Sequence, residues 1–286
     1  MLSELSAISP IDGRYRGKVA ALAPYFSEYA LFKFRVWVEV EYFIALSNLG
    51  LIQFPKISEN NSQFIKDIYL NFKEEDAARI KEIERITNHD VKAVEYFIKE
   101  KIKGTELEEF QEFVHFGLTS QDINNTAIPF SLRLGLDEVV IPEIEDLTEE
   151  LHKLAKQWKS IPLLSRTHGQ AATPTTVGKE FAVFAERLEV QLSTLKTIAI
   201  SAKFGGATGA FNAHRLAFPQ INWPEFGDDL VSNLGLVRSY PTTQIDHYDQ
   251  LAATFDALRR LNVIFMDFAK DVWQYISMDF FKQKIV

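Results

Sequence analysis

Three long apolar stripes in the second half of the sequence constrain its fold more than any other feature. In each stripe, apolar residues recur every three or four positions, which is the spacing of one face of an α-helix. The stripes cover 144–158, 177–195 and 251–272. Thr175, after Pro174, marks the start of the second helix, and the third stripe predicts a helix of about 30 residues, or about 45 Å. Helices of this length need neighbours to cover them, so the sequence predicts an all-α fold built around a long-helix bundle.

The first half of the chain carries shorter amphipathic stretches. They cover 27–49, 64–72, 74–84 and 91–102. Asn88 and Asp90 are suitable caps for the last of these helices. No segment shows sustained alternation of apolar and polar residues, and the best strand candidate, Leu236–Tyr240, is short. We therefore predict a helical N-terminal domain over 1–113 and a central long-helix bundle domain, incomplete as it stands, over 114–286.

Composition excludes several classes of protein. The formal net charge of -8 argues against a general affinity for nucleic acid. The chain has no cysteine, which rules out disulfides and thiolate metal sites and fits a reducing compartment. Its N-terminus has no basic region followed by an apolar stretch, and no apolar run is long enough to span a membrane. These features predict a cytoplasmic protein that binds neither membrane nor nucleic acid.

Two familiar site motifs are missing from the sequence. The six histidines include no HExxH pair for a metal ion. GGATG at 205–209 lacks the GK[ST] ending of a phosphate-binding loop, so a tight bend or a backbone close to a ligand explains it equally well. We therefore expect no metal site.

Polar clusters interrupt the helical pattern at four places. They are DGRY at 12–15, TNHD at 87–90, HFGLTSQDINNT at 115–126 and SRTHGQ at 165–170. Each has two interpretations. Capping residues, ordinary turns and a histidine with local hydrogen bonds explain them without any function. A helix start suits a carboxylate or phosphate, a guanidinium beside a phenol suits a phosphate, and a histidine at a junction between elements suits catalysis. The residue types alone leave both interpretations open.

Together with PTTQID at 241–246, these clusters resemble the bacterial adenylosuccinate lyases of the aspartase/fumarase superfamily in order and spacing. The resemblance extends from ISPIDGRY to DFFKQK, essentially the whole chain. It implies a long-helix bundle of the aspartase/fumarase type, with a homotetrameric core and active sites formed where three subunits meet. The implied reaction is β-elimination of fumarate from adenylosuccinate, giving AMP, and from SAICAR, giving AICAR. The implied substrate is a small nucleotide, and no cofactor is implied.

The resemblance also implies roles for individual residues. His168 matches the general acid that protonates the leaving amine, a task that suits an imidazole with a pKa of about 6.5. The remaining matches are substrate-binding residues: Arg14 and Tyr15 at the nucleotide phosphate, Asn88, His89 and Asp90 in a second binding segment, Thr119 and Ser120 at a succinyl carboxylate, and Gln244 near the reacting centre. Asp122 receives no role.

One part of the implied machinery has no counterpart in these 286 residues. The superfamily's general base is a serine in a mobile loop with the pattern SSxMPxKxN, which the sequence lacks. We therefore expect the chain to be a fragment, cut at a flexible loop and without turnover of its own. The alternatives are another lyase of the superfamily, such as argininosuccinate lyase, and a non-catalytic helical assembly module. DGRY and TNHD favour a phosphorylated substrate.

Overall fold

Helices make up most of the computed structural model, which describes residues 5–284. The α-helices are α1 Arg16–Val19, α2 Ala23–Phe26, α3 Glu28–Asn48, α4 Glu59–Leu70, α5 Glu74–Thr87, α6 Asp90–Ile102, α7 Ser120–Gly135, α8 Ile141–Gln157, α9 Val177–Thr197, α10 Asn212–Ala217, α11 Trp223–Asn233 and α12 Asp249–Ser277. Short 3₁₀ turns cover Ala20–Leu22 and Glu108–Phe113, and a π-helical turn covers Leu136–Val140. The all-α prediction is confirmed. Ile285 and Val286, at the predicted cut end, lie outside the described residues.

Two small sheets accompany the helices. Strands β1 Pro162–Thr167 and β2 Gln170–Thr176 form an antiparallel hairpin. Strands β3 Ser201–Ala202 and β4 Val237–Arg238 pair in parallel, and β4 falls inside the predicted strand candidate. The sequence pattern did not predict the hairpin, because neither strand alternates apolar and polar residues.

Helix α6 starts differently from the prediction. His89 is its N-cap, since the imidazole Nδ1 accepts a hydrogen bond from the Lys92 amide at 3.1 Å. Asn88 ends α5 in the left-handed conformation, with φ 52°, which asparagine tolerates better than most residues. Asp90 is the first residue of α6 rather than its cap. The prediction that Asn88 and Asp90 cap α6 was therefore wrong.

The chain folds into two compact units. The first contains Met1–Leu136 and Ile200–Tyr248, and the second contains Asp137–Ala199 and Asp249–Val286. In the first unit, α3 lies in the core, and most of its residues are buried on every face of the helix. The predicted division into 1–113 and 114–286 follows the sequence pattern rather than compactness, and it stays a prediction.

In the second unit, the three predicted stripes become α8, α9 and α12. The stripe of α9 is buried along its length, and Leu151 of α8 and Leu261 of α12 belong to the same core. Thr176 caps α9, because its hydroxyl accepts from the Lys179 amide at 3.3 Å, so the predicted start at Thr175 was one residue early. Among residues 5–284, no helix is both long and apolar enough to cross a membrane.

Candidate active site

His168 stands at the tip of the β1–β2 hairpin. Thr167 pairs with Gln170, so His168 and Gly169 form a two-residue turn, and both have positive φ angles of 53° and 78°. This is the pattern of a type I′ turn, whose twist matches that of the flanking strands. The imidazole is exposed and makes no hydrogen bond within residues 5–284. The predicted junction between elements is therefore a tight hairpin that presents both ring nitrogens.

The foot of the hairpin is fixed to its neighbouring helices. Glu180 of α9 accepts hydrogen bonds from the Thr175 hydroxyl at 3.5 Å and from the Tyr275 hydroxyl of α12 at 3.3 Å. Burial and the charge of Glu180 raise the pKa of Tyr275 to about 12, so this phenol stays protonated and keeps donating. A cleft of about 210 Å³ lies beside these residues. The hairpin thus has a tied base and a free tip.

Thr119 and Ser120 lie at the start of α7, as the polar cluster suggested. Thr119 is the N-cap, and its own amide donates to Asp122 Oδ2 at 2.8 Å. Both residues are partly exposed, whereas Asp122 is fully buried. The first turn of a helix carries unpaired amides and a partial positive charge. This end of α7 therefore has the polarity that a carboxylate needs.

Arg35 of α3 links the TNHD cluster to α7. Its Nη2 donates to Asp90 Oδ2 at 2.6 Å, and its Nε donates to Asn124 Oδ1 at 2.8 Å. Partial burial on its own would raise the pKa of Asp90, but the charge of Arg35 and hydrogen bonds to the carboxylate outweigh it and hold the pKa below its ordinary value. Asp90 is therefore a fixed anion. Its neighbours Asn88 and His89 remain exposed.

The segment that carries Gln244 is tied to the next turn of α7. Asn125 Oδ1 accepts from the Asp246 amide at 3.3 Å and from the Tyr248 hydroxyl at 2.8 Å. The side chain of Gln244 is exposed. The start of α7 therefore connects three of the predicted clusters: Thr119 and Ser120 form it, Asp90 reaches it through Arg35, and the Gln244 segment is bonded to Asn125.

No hydrogen bond or ion pair among residues 5–284 links Arg14 or Tyr15 to this group. They occupy a turn before α1, and the guanidinium carbon of Arg14 lies 5.6 Å from the centroid of the Tyr15 ring. Both side chains are exposed, and within the described residues neither bonds to another predicted site residue. His168 belongs to the second compact unit and the other eight predicted residues to the first.

A buried pair that the sequence analysis missed lies close to the same segment. His115 Nδ1 is 2.5 Å from Glu39 Oε1, and Glu39 is completely buried. Burial would lower the pKa of His115, but the charge and hydrogen bond of Glu39 outweigh burial and raise it. The signal in the sequence was a pair of charged residues, Arg35 and Glu39, four positions apart in a largely apolar helix. Within residues 5–284, no group of three or more His, Cys, Asp or Glu side chains is arranged to hold a metal ion.

The family model described as Lyase matches residues 13–286. Adenylosuccinate lyase of Dictyostelium discoideum is 54% identical over 294 aligned positions, covering 100% of this chain and 63% of that protein. The adenylosuccinate lyases of Haemophilus influenzae and Escherichia coli K12 are 48% and 47% identical, again over 100% of this chain and 63% of theirs. The chain thus spans less than two thirds of the length of these relatives.

Solved structures with similar folds are more distant in sequence. A fumarate lyase from Mesorhizobium sp. BNC1 matches 89% of this chain and 57% of its own, with a TM-score of 0.74 and 22% identity. The β-carboxy-cis,cis-muconate cycloisomerase of Acinetobacter calcoaceticus sp. ADP1 gives a TM-score of 0.71 and 19% identity over 89% of this chain and 57% of its own. At these identities the similarity concerns the fold alone, and it agrees with the predicted all-α, long-helix bundle.

Proposed function

Because this chain belongs to the Lyase family, we propose that it acts in the elimination of fumarate from adenylosuccinate, giving AMP, and from SAICAR, giving AICAR. The names of the relatives support this substrate class, since the three described above are all adenylosuccinate lyases. They favour it over another superfamily lyase, such as argininosuccinate lyase, and over a non-catalytic helical module.

Breaking the C–N bond requires three things. A base removes a weakly acidic proton next to a carboxylate, an acid protonates the departing nitrogen, and hydrogen-bond donors stabilise the aci-carboxylate that forms between these steps. We assign the acid role to His168. The observation that carries this assignment is its position: an exposed imidazole without hydrogen-bond partners among the described residues, on a two-residue turn whose base is tied to α9 and α12.

The remaining residues are assigned to binding. Thr119 and Ser120, at the positive end of α7, are proposed to hold a succinyl carboxylate. Gln244 is proposed to bind near the reacting centre. The other proposed contacts are Arg14 and Tyr15 at the phosphate, and Asn88, His89 and Asp90 in a second binding segment. For Asp90 the ion pair with Arg35 points to an orienting function, because a fixed carboxylate is suited to accepting hydrogen bonds from neutral donors.

We further propose a homotetramer in the cytoplasm. Large apolar side chains on α12 support the assembly, because Phe255, Val263, Met266 and Trp273 are each at least half exposed. An apolar surface of this kind is typical of protein interfaces. The lack of cysteine fits a reducing compartment.

The acid assignment is tested by His168→Gln in the full-length protein. His152→Gln is the matched control, since His152 is another exposed histidine of the same compact unit. Loss of general acid catalysis should lower kcat for adenylosuccinate about 10²- to 10⁴-fold, whereas the control should keep its activity. The assay follows AMP formation from adenylosuccinate by absorbance. A parallel assay with argininosuccinate tests the alternative substrate. A His168→Gln enzyme with kcat close to that of the wild type contradicts the assignment.

A further inference from the structure

A completely buried ion pair lies directly behind the start of α7. Lys203 Nζ is 2.7 Å from Asp122 Oδ1, and both side chains have no solvent exposure. Removing two charges from water costs more than their attraction returns unless further hydrogen bonds satisfy both groups. The surroundings of this pair therefore indicate what it holds in place.

Asp122 collects donors from two separate segments. Its Oδ1 accepts from the amides of Gly205 and Gly206 at 2.8 and 3.0 Å, in addition to the Lys203 ammonium. Its Oδ2 accepts from the amide of Thr119. One carboxylate thus joins the first residue of the carboxylate-binding turn to the GGATG loop. This explains the loop better than a ligand does, because its amides point at a buried side chain.

Lys203 is docked along one face of α7. Its ammonium also donates to Gly206 O at 2.6 Å, and its backbone carbonyl accepts from the Thr126 hydroxyl at 3.3 Å. Its amide donates to Asn125 O at 3.2 Å. The Asn125 carbonyl is available because the residue four positions later is Pro129, which has no N–H to complete the helical hydrogen bond.

The same loop reaches the Gln244 segment from its other end. Gly209 packs so closely on Thr242 that a Cβ atom at this glycine would come within 2.3 Å of the Thr242 carbonyl oxygen. Thr242 is two residues before Gln244. The loop that Asp122 and Lys203 hold against α7 therefore supports both Thr119 and the segment of Gln244.

We propose that Asp122 and Lys203 are positioning residues of the active site, which set the start of α7 and the GGATG loop in the geometry that binds the succinyl carboxylate. This inference rests on the proposed function, in which Thr119 and Ser120 hold that carboxylate. Neither Asp122 nor Lys203 touches the substrate, since both are sealed from solvent. Their effect is exerted through the backbone of Thr119 and of the loop.

The experiment uses the two products as separate probes of the full-length enzyme. Fumarate carries the carboxylates that the start of α7 would bind, whereas AMP carries the phosphate and lacks the succinyl group. The variant replaces both charges together, Asp122→Asn with Lys203→Met, so that no unpaired charge stays buried. We expect the inhibition constant of fumarate and the KM of adenylosuccinate to rise about tenfold, the scale of one weakened hydrogen bond to a charged group. The inhibition constant of AMP should stay within twofold.

A second, milder variant guards against a failure to fold. Thr126→Val removes only the hydroxyl that donates a hydrogen bond to the Lys203 carbonyl. It should raise the inhibition constant of fumarate about threefold and leave the inhibition constant of AMP unchanged. Thr148→Val is its matched control, because Thr148 is also buried and donates to a helical carbonyl, that of Ile144, in the other compact unit. This control should leave both inhibition constants unchanged. A general loss of folded enzyme would instead reduce active-site concentration and leave both constants alone.

Thr119→Ala and Ser120→Ala, measured in parallel, separate the two proposals. If these variants leave the inhibition constant of fumarate unchanged, the carboxylate assignment within the proposed function is wrong. If they raise it while the folded Asp122 and Lys203 double variant and Thr126→Val do not, only the positioning role is overturned. An equal rise in the inhibition constants of fumarate and AMP, in the double variant and in Thr126→Val, also overturns the positioning role.

Discussion

Burial of His214 makes the first compact unit sensitive to acid. The imidazole has no solvent exposure, and its Nε2 lies 2.8 Å from the Tyr42 hydroxyl. That hydroxyl donates to Phe116 O, so His214 Nε2 must carry the hydrogen of the bond between them. Its Nδ1 is then a bare acceptor, buried without a hydrogen-bond partner among the described residues. A second proton would have to be placed on this nitrogen in an apolar surrounding.

The size of the effect follows from the pKa of His214. Burial lowers it from 6.5 to about 4, although the charge of Asp122 opposes the shift. At about 1.36 kcal/mol per pKa unit, the difference between 6.5 and about 4 corresponds to about 3.4 kcal/mol. The unfolded chain takes up the proton near pH 6.5 and the folded chain only near pH 4. The contribution of His214 to stability is therefore fully present above pH 6.5, and it has fallen by about 3 kcal/mol at pH 4, where the folded chain is half protonated at this ring.

The test compares wild type with His214→Gln by urea unfolding, followed by circular dichroism at a fixed protein concentration. Loss of ring packing should make the variant less stable at pH 7.5. The difference in the free energy of unfolding should then shrink by about 3 kcal/mol between pH 7.5 and pH 4, because only the wild type has this group to protonate. Comparing the two proteins removes the titration of every group they share. His247→Gln, the same change at an exposed histidine, controls for the substitution itself and should change stability little at pH 7.5, because no buried ring is removed. A wild-type minus His214→Gln difference that is constant across this range refutes the argument.

Two further predictions concern the hairpin and the buried pair of α3. Gly169→Ala should lower the free energy of unfolding by about 1 kcal/mol, because alanine disfavours the left-handed backbone conformation of this residue. It should also lower kcat. Gly50→Ala, which also has a positive φ and open space for a Cβ, should cost as much stability, measured by urea unfolding, without lowering kcat. Glu39→Gln removes the charge that raises the pKa of His115. In the wild type, the ion pair between Glu39 and His115 stabilises the fold in full below pH 6.5, and this stabilisation fades as the pH rises through the raised pKa of His115. The wild type should exceed this variant in free energy of unfolding by more at pH 6 than at pH 9, and an equal difference at both pH values would contradict the ion pair.

Periodicity predicted the helices well, because the buried face of an amphipathic helix appears in the sequence as apolar residues every three or four positions. The stripe from Val177 to Leu195 became the buried face of α9. Helix starts were less accurate. Residue type favours Asn88 and Asp90 as caps, but the cap is His89, because Asn88 ends the preceding helix and Asp90 is already the first residue of α6.

The hairpin around His168 was not predictable from alternation. The segments PLLSRT and QAATPTT are mostly exposed on both faces, so burial imposes no period of two. The pairing also shifts between Leu164 and Arg166, which breaks any regular pattern across the two strands. What the sequence contained was the turn itself, a residue that tolerates positive φ followed by glycine, which is a weaker signal than Asn-Gly.

The polar residues of α3 explain why separate clusters in the sequence meet in the structure. Arg35, Glu39 and Tyr42 are spaced by four and three positions, so they share one face of the helix. Arg35 binds Asp90 and the side chain of Asn124, Glu39 binds His115, and Tyr42 binds His214. The apolar residues of this helix form a single periodic stripe in the sequence, and that stripe gives no sign of a second, polar row on a helix that is buried all round. Each of these bonds fixes a segment near the start of α7, and each requires a polar side chain of α3 to be buried away from water, which costs free energy. The acid sensitivity predicted for His214 is the most easily measured part of that cost, because its Nδ1 is left without a partner among the described residues.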